Sequence, residues 1–306
     1  MSSRHTPILT LKIAELLAEP FRKLEEPAYL VDCTFGGGGH TSAFLDTFKL
    51  IAKDTGVQHR VIGVDQDLRA IDRAKERFAE EISAGSLELR HQRFSELKGR
   101  LGDVPVYGML ADLGFSSDQM DDPTRGLSFK NDGPLDMRLN PNAGESCHEL
   151  LGRVSERDLA DILFKYGEER FSRQIARAIV RYRDENGAPE TTGQLVAIIE
   201  RAVPGKYRHG RIHFATRSFQ ALRILVNEEL EELEGLLNHV ILQVKPGGRV
   251  GILSFHSLED RLVKQAFRQK SEELKILTKK PLLPDDEETA QNPRARSAKL
   301  RVAERI

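Results

Sequence analysis

Apolar residues follow two different periods along this chain. In the first third they form short runs: AYLVDCTF (28–35), RVIGVDQD (60–67), the weaker LELRHQRF (87–94) and VYGMLADLGF (106–115). Between the second and third runs, LRAIDRAKERFAEEI (68–82) spaces Leu68, Ile71 and Phe78 for one face of a helix. Strand-length runs separated by helical stretches predict βαβ units and a parallel sheet. The pattern then stops. Residues 116–147 are rich in Asp, Gly, Pro and Asn and show no clear period, whereas 148–202 read as helix, with Leu159, Ile162, Leu163, Phe171, Ile175 and Ile179 at helical spacing. Ser155, with Asp158 three residues on, resembles a capping box with Asp in place of Glu. A long helix is expected over about 215–243, then a turn and strand in KPGGRVGILSFHS, where Gly247 and Gly248 supply the bend. ARSAKLRVAERI at the end reads as an edge or antiparallel strand, and DDEET (285–289) as a mobile surface loop. The simplest architecture is an α/β domain made of residues 1–118 and 213–306, interrupted by a mostly helical insertion at 119–212.

The chemistry concentrates where the predicted strands end. Ligands of open α/β sheets bind beyond the carboxyl ends of the strands, and there the chain carries Asp32 followed by Gly36–Gly39, then Asp65 with Asp67, then Asp112 with Gly114. Four consecutive glycines cost folding entropy at each position, which is accepted where backbone must approach something closely. A carboxylate at Asp65 can accept both hydroxyls of a ribose, as in nicotinamide enzymes. Two details speak against a dinucleotide. Asp65 follows Gly36 by 29 residues, where that fingerprint expects about 20. Asp32 also precedes the glycines, where a carboxylate would disfavour a pyrophosphate. S-adenosylmethionine fits better, because it has no phosphate and carries an ammonium and a sulfonium that acidic groups attract.

Composition narrows the setting. At 39% hydrophobic and 30% charged, the chain is that of a soluble globular protein. It has no apolar stretch of membrane-spanning length and no signal-peptide core at its N-terminus. Cys33 and Cys147 are too few for a disulfide framework or a thiolate metal site, which points to a reducing cytoplasm and to no metal. With a net charge of −1, a nucleic-acid partner must be held by local patches. Arg201, Lys206, Arg208, Arg211, Arg217 and Arg223 form one such run with no acidic residue among them, and Arg294, Arg296, Lys299 and Arg301 a second. Arg170, Arg173, Arg177 and Arg181 are spaced for one helix face.

Six stretches occur in order: DCTFGGGGHTSAFL, LADLGFSSDQMDDPTRGLSFKNDGPLDMRLNP, YGEERFSRQIARAIV, ATRSFQALRILVNEELEEL, GGRVGILSFHSLEDRLVK and NPRARSAKLR. Together they resemble the bacterial 16S ribosomal RNA (cytosine-N4)-methyltransferase family over nearly the whole chain. The resemblance implies a class I S-adenosylmethionine-dependent methyltransferase fold, Rossmann-like with a mostly parallel sheet and an inserted helical domain. It implies methyl transfer to the exocyclic amine of a cytidine in the decoding region, with 16S rRNA or the small ribosomal subunit as partner. By motif it places Gly38, Gly39, His40, Asp65, Phe94, Asp112 and Gln119 at the cofactor. The amine of cytosine is conjugated with its ring and is a poor nucleophile, so acceptors for its protons are expected, with Asp112, Ser116 and Asp136 as candidates. His213, Arg217 and His256 are alternatives on the substrate side, each also plausible as a structural polar residue. A nicotinamide oxidoreductase and a non-catalytic RNA-binding protein on the same scaffold are the competing classes. Oligomeric state, a homodimer included, stays open.

Overall fold

The computed structural model describes residues 7–210 and 212–306 and divides into two compact units, residues 1–114 with 230–306 and residues 115–229. Arg211 of the basic run lies outside the described residues.

The first unit holds a seven-stranded sheet: β1 (Tyr29–Asp32), β2 (Arg60–Asp65), β3 (Leu87–His91), β4 (Val106–Asp112), β5 (Arg249–Ser254), β6 (Leu274–Ile276) and β7 (Lys299–Arg305). Their order is β3-β2-β1-β4-β5-β7-β6. The first five strands run parallel, and β7 pairs antiparallel with β5 and with β6. Neighbours along a strand point to opposite faces. Leu30, Val61 and Leu110 therefore enter one buried cluster, and Val31, Ile62 and Met109 the other. Both faces are covered, which is why these strands read as continuous apolar runs.

Helices α1 (Thr10–Ala18), α2 (Gly39–Thr55), α3 (Leu68–Arg77), α4 (Ala79–Ser83), α12 (Glu229–Gly235), α13 (Ser257–Gln269) and α14 (Asp286–Gln291) accompany the sheet. Three of these differ from the sequence reading. The helix expected over 68–82 breaks at Phe78, whose ring is buried against Phe35. The one expected over 215–243 ends at Glu228, which adopts φ 52°, and beyond α12 the chain passes through a π turn (Leu236–Val240) and a 3-10 turn (Ile241–Gln243). DDEET is not a bare loop: Asp285 caps α14 through the Glu288 amide, and Glu288 accepts the Leu9 amide at 2.6 Å.

The second unit, Phe115–Glu229, contains α5 (Ser117–Asp121), α6 (Cys147–Arg153), α7 (Glu156–Gly167), α8 (Ser172–Asn186), α9 (Thr192–Ala202), α10 (Gly205–Arg208) and α11 (Thr216–Asn227). It is wider than the expected 119–212 because α11 contributes Phe219, Ala221 and Leu222 to the helical core. Gly167 permits the close approach, since a β-carbon there would stand 2.5 Å from the Arg217 carbonyl oxygen. The aperiodic stretch also belongs to this core. Leu127, Leu135, Met137 and Leu139 are buried with the helices, and Asn227 binds the Leu139 amide and the Met137 carbonyl at 2.7 and 2.8 Å.

Candidate functional site

The sheet order reverses between β1 and β4, and Asp32 and Asp112 close those two strands. That is the switch point at which open α/β sheets bind ligands. The glycine loop connects β1 to α2 through two left-handed residues, Gly36 (φ 52°) and Gly38 (φ 73°). Gly38 serves packing as well as approach, because a β-carbon there would lie 2.6–2.8 Å from the rings of Phe35 and Phe78. At Gly39 the same position is filled by the Pro7 ring.

Each carboxylate at the strand ends has a distinct duty. Asp32 is buried and accepts the Thr41 hydroxyl at 2.7 Å and the Thr34 amide at 3.3 Å, one on each oxygen, which ties it into the loop. Burial pushes its acidity down, raising the pKa, against the pull of nearby His40. Thr34 in turn accepts the Asp112 amide at 2.6 Å, tying the loop to the end of β4. Asp65 accepts Gly36 N–H at 2.7 Å and Asp67 N–H at 2.8 Å. Burial pushes its pKa up to about 6, although both amides favour the ionised form. Each of its oxygens keeps a lone pair for a further donor. Asp67 is the cap of α3, accepting the Arg69 amide at 3.0 Å.

His40 opens α2 with a buried imidazole whose Nε2 lies 3.3 Å from Asp112 Oδ2, an ion-pair contact. Burial disfavours its charged form, but Asp112, Asp32 and Glu288 outweigh that and raise its pKa. His40 Nδ1 and Asp112 Oδ1 are buried without a hydrogen-bond partner, and Nε2 has only that long contact with Asp112. Buried polar atoms are rarely left so, and each needs an explanation. A polar ligand is one. The sequence reading missed Gln92, which follows β3: its amide donates to the Asp65 carbonyl at 3.0 Å, and its side-chain Nε2 is also buried and unpartnered. Only its place after a strand end could have signalled it. Phe94 begins a 3-10 turn (Phe94–Leu97), half-buried with part of its ring on the core. His256 caps α13, taking the Glu259 amide on Nδ1 at 3.4 Å, while buried Glu259 returns to the Phe255 and His256 amides. In the first unit the structure therefore gathers Gly38, Gly39, His40, Asp65 and Asp112 around one loop and gives His256 a capping role.

The other predicted residues lie in the second unit. Ser116 and Gln119 form a capping box at α5: Ser116 Oγ accepts the Gln119 amide at 3.2 Å and Gln119 Oε1 the Ser116 amide at 2.9 Å. The S-x-x-Q spacing announces this role. Asp136 is engaged by Arg138, with Nε at 2.8 Å on one oxygen and Nη2 at 2.7 Å on the other. Between them Met137 sits at φ 66°, an uncommon conformation for a side chain of that size. His213 is exposed and stacks on Phe129 and Phe214 at centroid distances of 4.6 and 4.2 Å. Arg217 donates to the Glu168 carbonyl at 3.2 Å.

Comparison with known proteins identifies the family. Ribosomal RNA small subunit methyltransferase H of Synechococcus sp. (strain RCC307) is 47% identical over 309 residues, covering 100% of this chain and 96% of that relative. The protein of the same name from Sorangium cellulosum is 47% identical over 279 residues, 90% of this chain and 84% of its own length. That from Prochlorococcus marinus is 43% identical over 303 residues, 99% and 94% respectively. The model of the MraW methylase family matches residues 2–306, and the chain belongs to that family.

Proposed function

We propose that the protein methylates the N4 amine of a cytidine in 16S ribosomal RNA, using S-adenosylmethionine, and that the helical unit recognises the RNA. The observation that carries the reading is the cluster of buried, unpartnered polar atoms on His40 and Asp112, beside a loop whose glycines admit close backbone approach. These residues fit the cofactor, which combines hydroxyls, an ammonium and a carboxylate and brings no phosphate to an acidic site. Asp65 would take the ribose hydroxyls on its remaining lone pairs, Phe94 would present its ring to the adenine, and Gln92 would offer its free amide nitrogen. When bound, the cofactor supplies an electrophilic methyl on a sulfonium.

The chain's own work is positioning and charge. Asp112 Oδ1 is an acceptor with no partner in the fold. It can take a proton of the exocyclic amine in a hydrogen bond, drawing the nitrogen out of conjugation as it attacks. His40, against its burial, is held toward its charged form by Asp112 and Asp32 and faces the other Asp112 oxygen at 3.3 Å. Holding amine and methyl in line provides much of the remaining acceleration. The target base must leave its stack or already be unpaired to be reached. Ser116, Asp136, His213 and Arg217 are assigned to the substrate side, with Gln119 at the cofactor.

The test is methyl transfer from labelled cofactor to small subunits isolated from a strain lacking the protein, followed by nucleoside analysis. N4-methylcytidine is expected. A methyl on uridine or on protein would overturn the assignment.

A further inference from the structure

Of the basic stripe read from the sequence, Arg173, Arg177 and Arg181 lie on α8, while Arg170 stands in the turn before it. Arg177 is paired with Glu156 at 3.3 Å and Arg181 with Glu185 at 3.0 Å, so the far half of the stripe is neutralised. Arg170 instead lies exposed over two rings, with its guanidinium carbon 5.0 Å from the Phe171 centroid and 4.7 Å from that of Tyr207. The rings meet edge to face at 4.8 Å. Beneath them Glu169, fully buried, accepts the Tyr207 hydroxyl at 2.7 Å and the Phe171 amide at 2.9 Å. Both of its oxygens are therefore engaged in holding the segments that carry the two rings. Arg217 approaches the same tyrosine closely enough to oppose the rise in its pKa. Arg173 and Lys206 are both exposed, each within two residues of one of the rings. The result is a rigid aromatic bed under a planar cation, surrounded by further cations.

An acidic peptide would need only the charges. A duplex would need a groove-following surface. The combination of flat rings, a stacked guanidinium and several cations matches a chain of phosphates with unstacked bases. Resting on the reading above, we propose that Arg170 on its Phe171–Tyr207 bed, with Arg173, Lys206 and Arg217, is the seat for a single-stranded segment of the substrate RNA.

The test measures binding of the full chain to a fluorescent single-stranded oligoribonucleotide across a salt series. Each phosphate contact contributes about 0.7 to the slope of log affinity against log salt on a single strand. Arg170→Ala with Arg217→Ala should lower that slope by about 1.4 and weaken binding about tenfold or more at moderate salt. Arg170→Lys should keep the slope but lose affinity, because the charge remains and the planar stack does not. Arg173→Glu, at an exposed site, gives the same test without touching the ring bed. Arg177→Ala with Arg181→Ala should stay within about twofold of the parent in affinity. Melting temperature and cofactor affinity, measured in parallel, report folding. An unchanged slope in both the double variant and Arg173→Glu, or an equal loss in the Arg177 and Arg181 pair, overturns the proposal. A parent protein that shows these slopes but transfers no methyl to small subunits would sink the functional reading and leave the RNA seat standing.

Discussion

Replacing Gly38 by alanine separates what the glycine loop needs for folding from what it needs for a ligand. Gly38 has φ 73°, and a β-carbon there would stand 2.6 Å from Phe78 Cε2 and 2.7 Å from Phe35 Cζ. The left-handed conformation costs an alanine about 1–2 kcal/mol, of which about 0.4–1 returns through the less flexible unfolded chain. The two rings are buried and packed edge to face at 5.6 Å, so neither can swing away cheaply. Overpacking of that kind adds about 1–3 kcal/mol. The total, about 2–4 kcal/mol, should lower the melting temperature by about 5–15 °C. Gly37 is the control, because a β-carbon there meets no atom within 4 Å and its φ lies outside the left-handed range. Gly37→Ala should change stability by no more than about 0.5 kcal/mol. Phe78→Leu should cost less in the Gly38→Ala background than alone, with a coupling of about 1 kcal/mol. Thermal melts of the four variants and the parent decide it. Equal shifts for Gly37→Ala and Gly38→Ala, or a cycle with no coupling, would refute the packing argument.

Asp65 gives a pH signature. Its folded pKa of about 6 exceeds the ordinary 3.8, so the folded protein binds the extra proton between those values and loses stability as pH rises through them. The melting temperature of Asp65→Asn minus that of the parent should therefore rise between about pH 4 and 6 and then level off, by up to about 3 kcal/mol of stability; a flat difference curve would contradict it. Gly126→Ala places a β-carbon against the Pro134 carbonyl oxygen and 2.8 Å from the Asp136 amide, at φ 65°. It should cost at least about 2–3 kcal/mol, whereas Gly144→Ala, also left-handed but in open space, should cost only about 1. Denaturant melts of the two variants make that comparison. Glu288→Ala removes a charged acceptor from the Leu9 amide, worth about 1.5 kcal/mol, so deuterium exchange at Leu9 should quicken about tenfold while Glu288→Gln stays nearer the parent.

β1, β2, β4 and β5 were legible because burial on both faces leaves a nearly unbroken apolar run, while the edge strand β3, half exposed, gave only a weaker signal and the short β6 none. The last stretch, ARSAKLRVAERI, was readable as antiparallel or edge, and β7 is antiparallel to both neighbours. What the linear pattern concealed is where helices stop. Phe78 and Glu228 sit inside periodic runs, and the breaks come from tertiary demands. A ring buried against Phe35 ends one helix. At the other, Asn227 reaches into the backbone at Met137 and Leu139 from the last residue of α11. DDEET looked like solvent-exposed loop because nothing local reveals that Glu288 has an amide to hold.

The site shows the same division more sharply. Residue type and strand-end position located Asp32, Asp65 and Asp112 together, but not what each carboxylate bonds. Asp32 is buried and tied into the loop by Thr34 and Thr41. Ser116 and Gln119 answer each other across a capping box, and Asp136 is matched by Arg138. Each of these groups already makes bonds within the fold, so its desolvation is at least partly compensated before any ligand arrives. His40 Nδ1, Asp112 Oδ1 and the Gln92 side-chain nitrogen are the opposite case: their desolvation has been incurred in folding with no bond made in return, and His40 Nε2 has only its 3.3 Å contact with Asp112. Leaving such a group unmet costs about 1–3 kcal/mol, and a ligand that supplies the missing partner recovers it on binding. That asymmetry ranks the residues. Substitutions at His40, Asp112 and Gln92 should weaken cofactor binding or turnover more than they lower stability, and those at Asp32 should do the reverse.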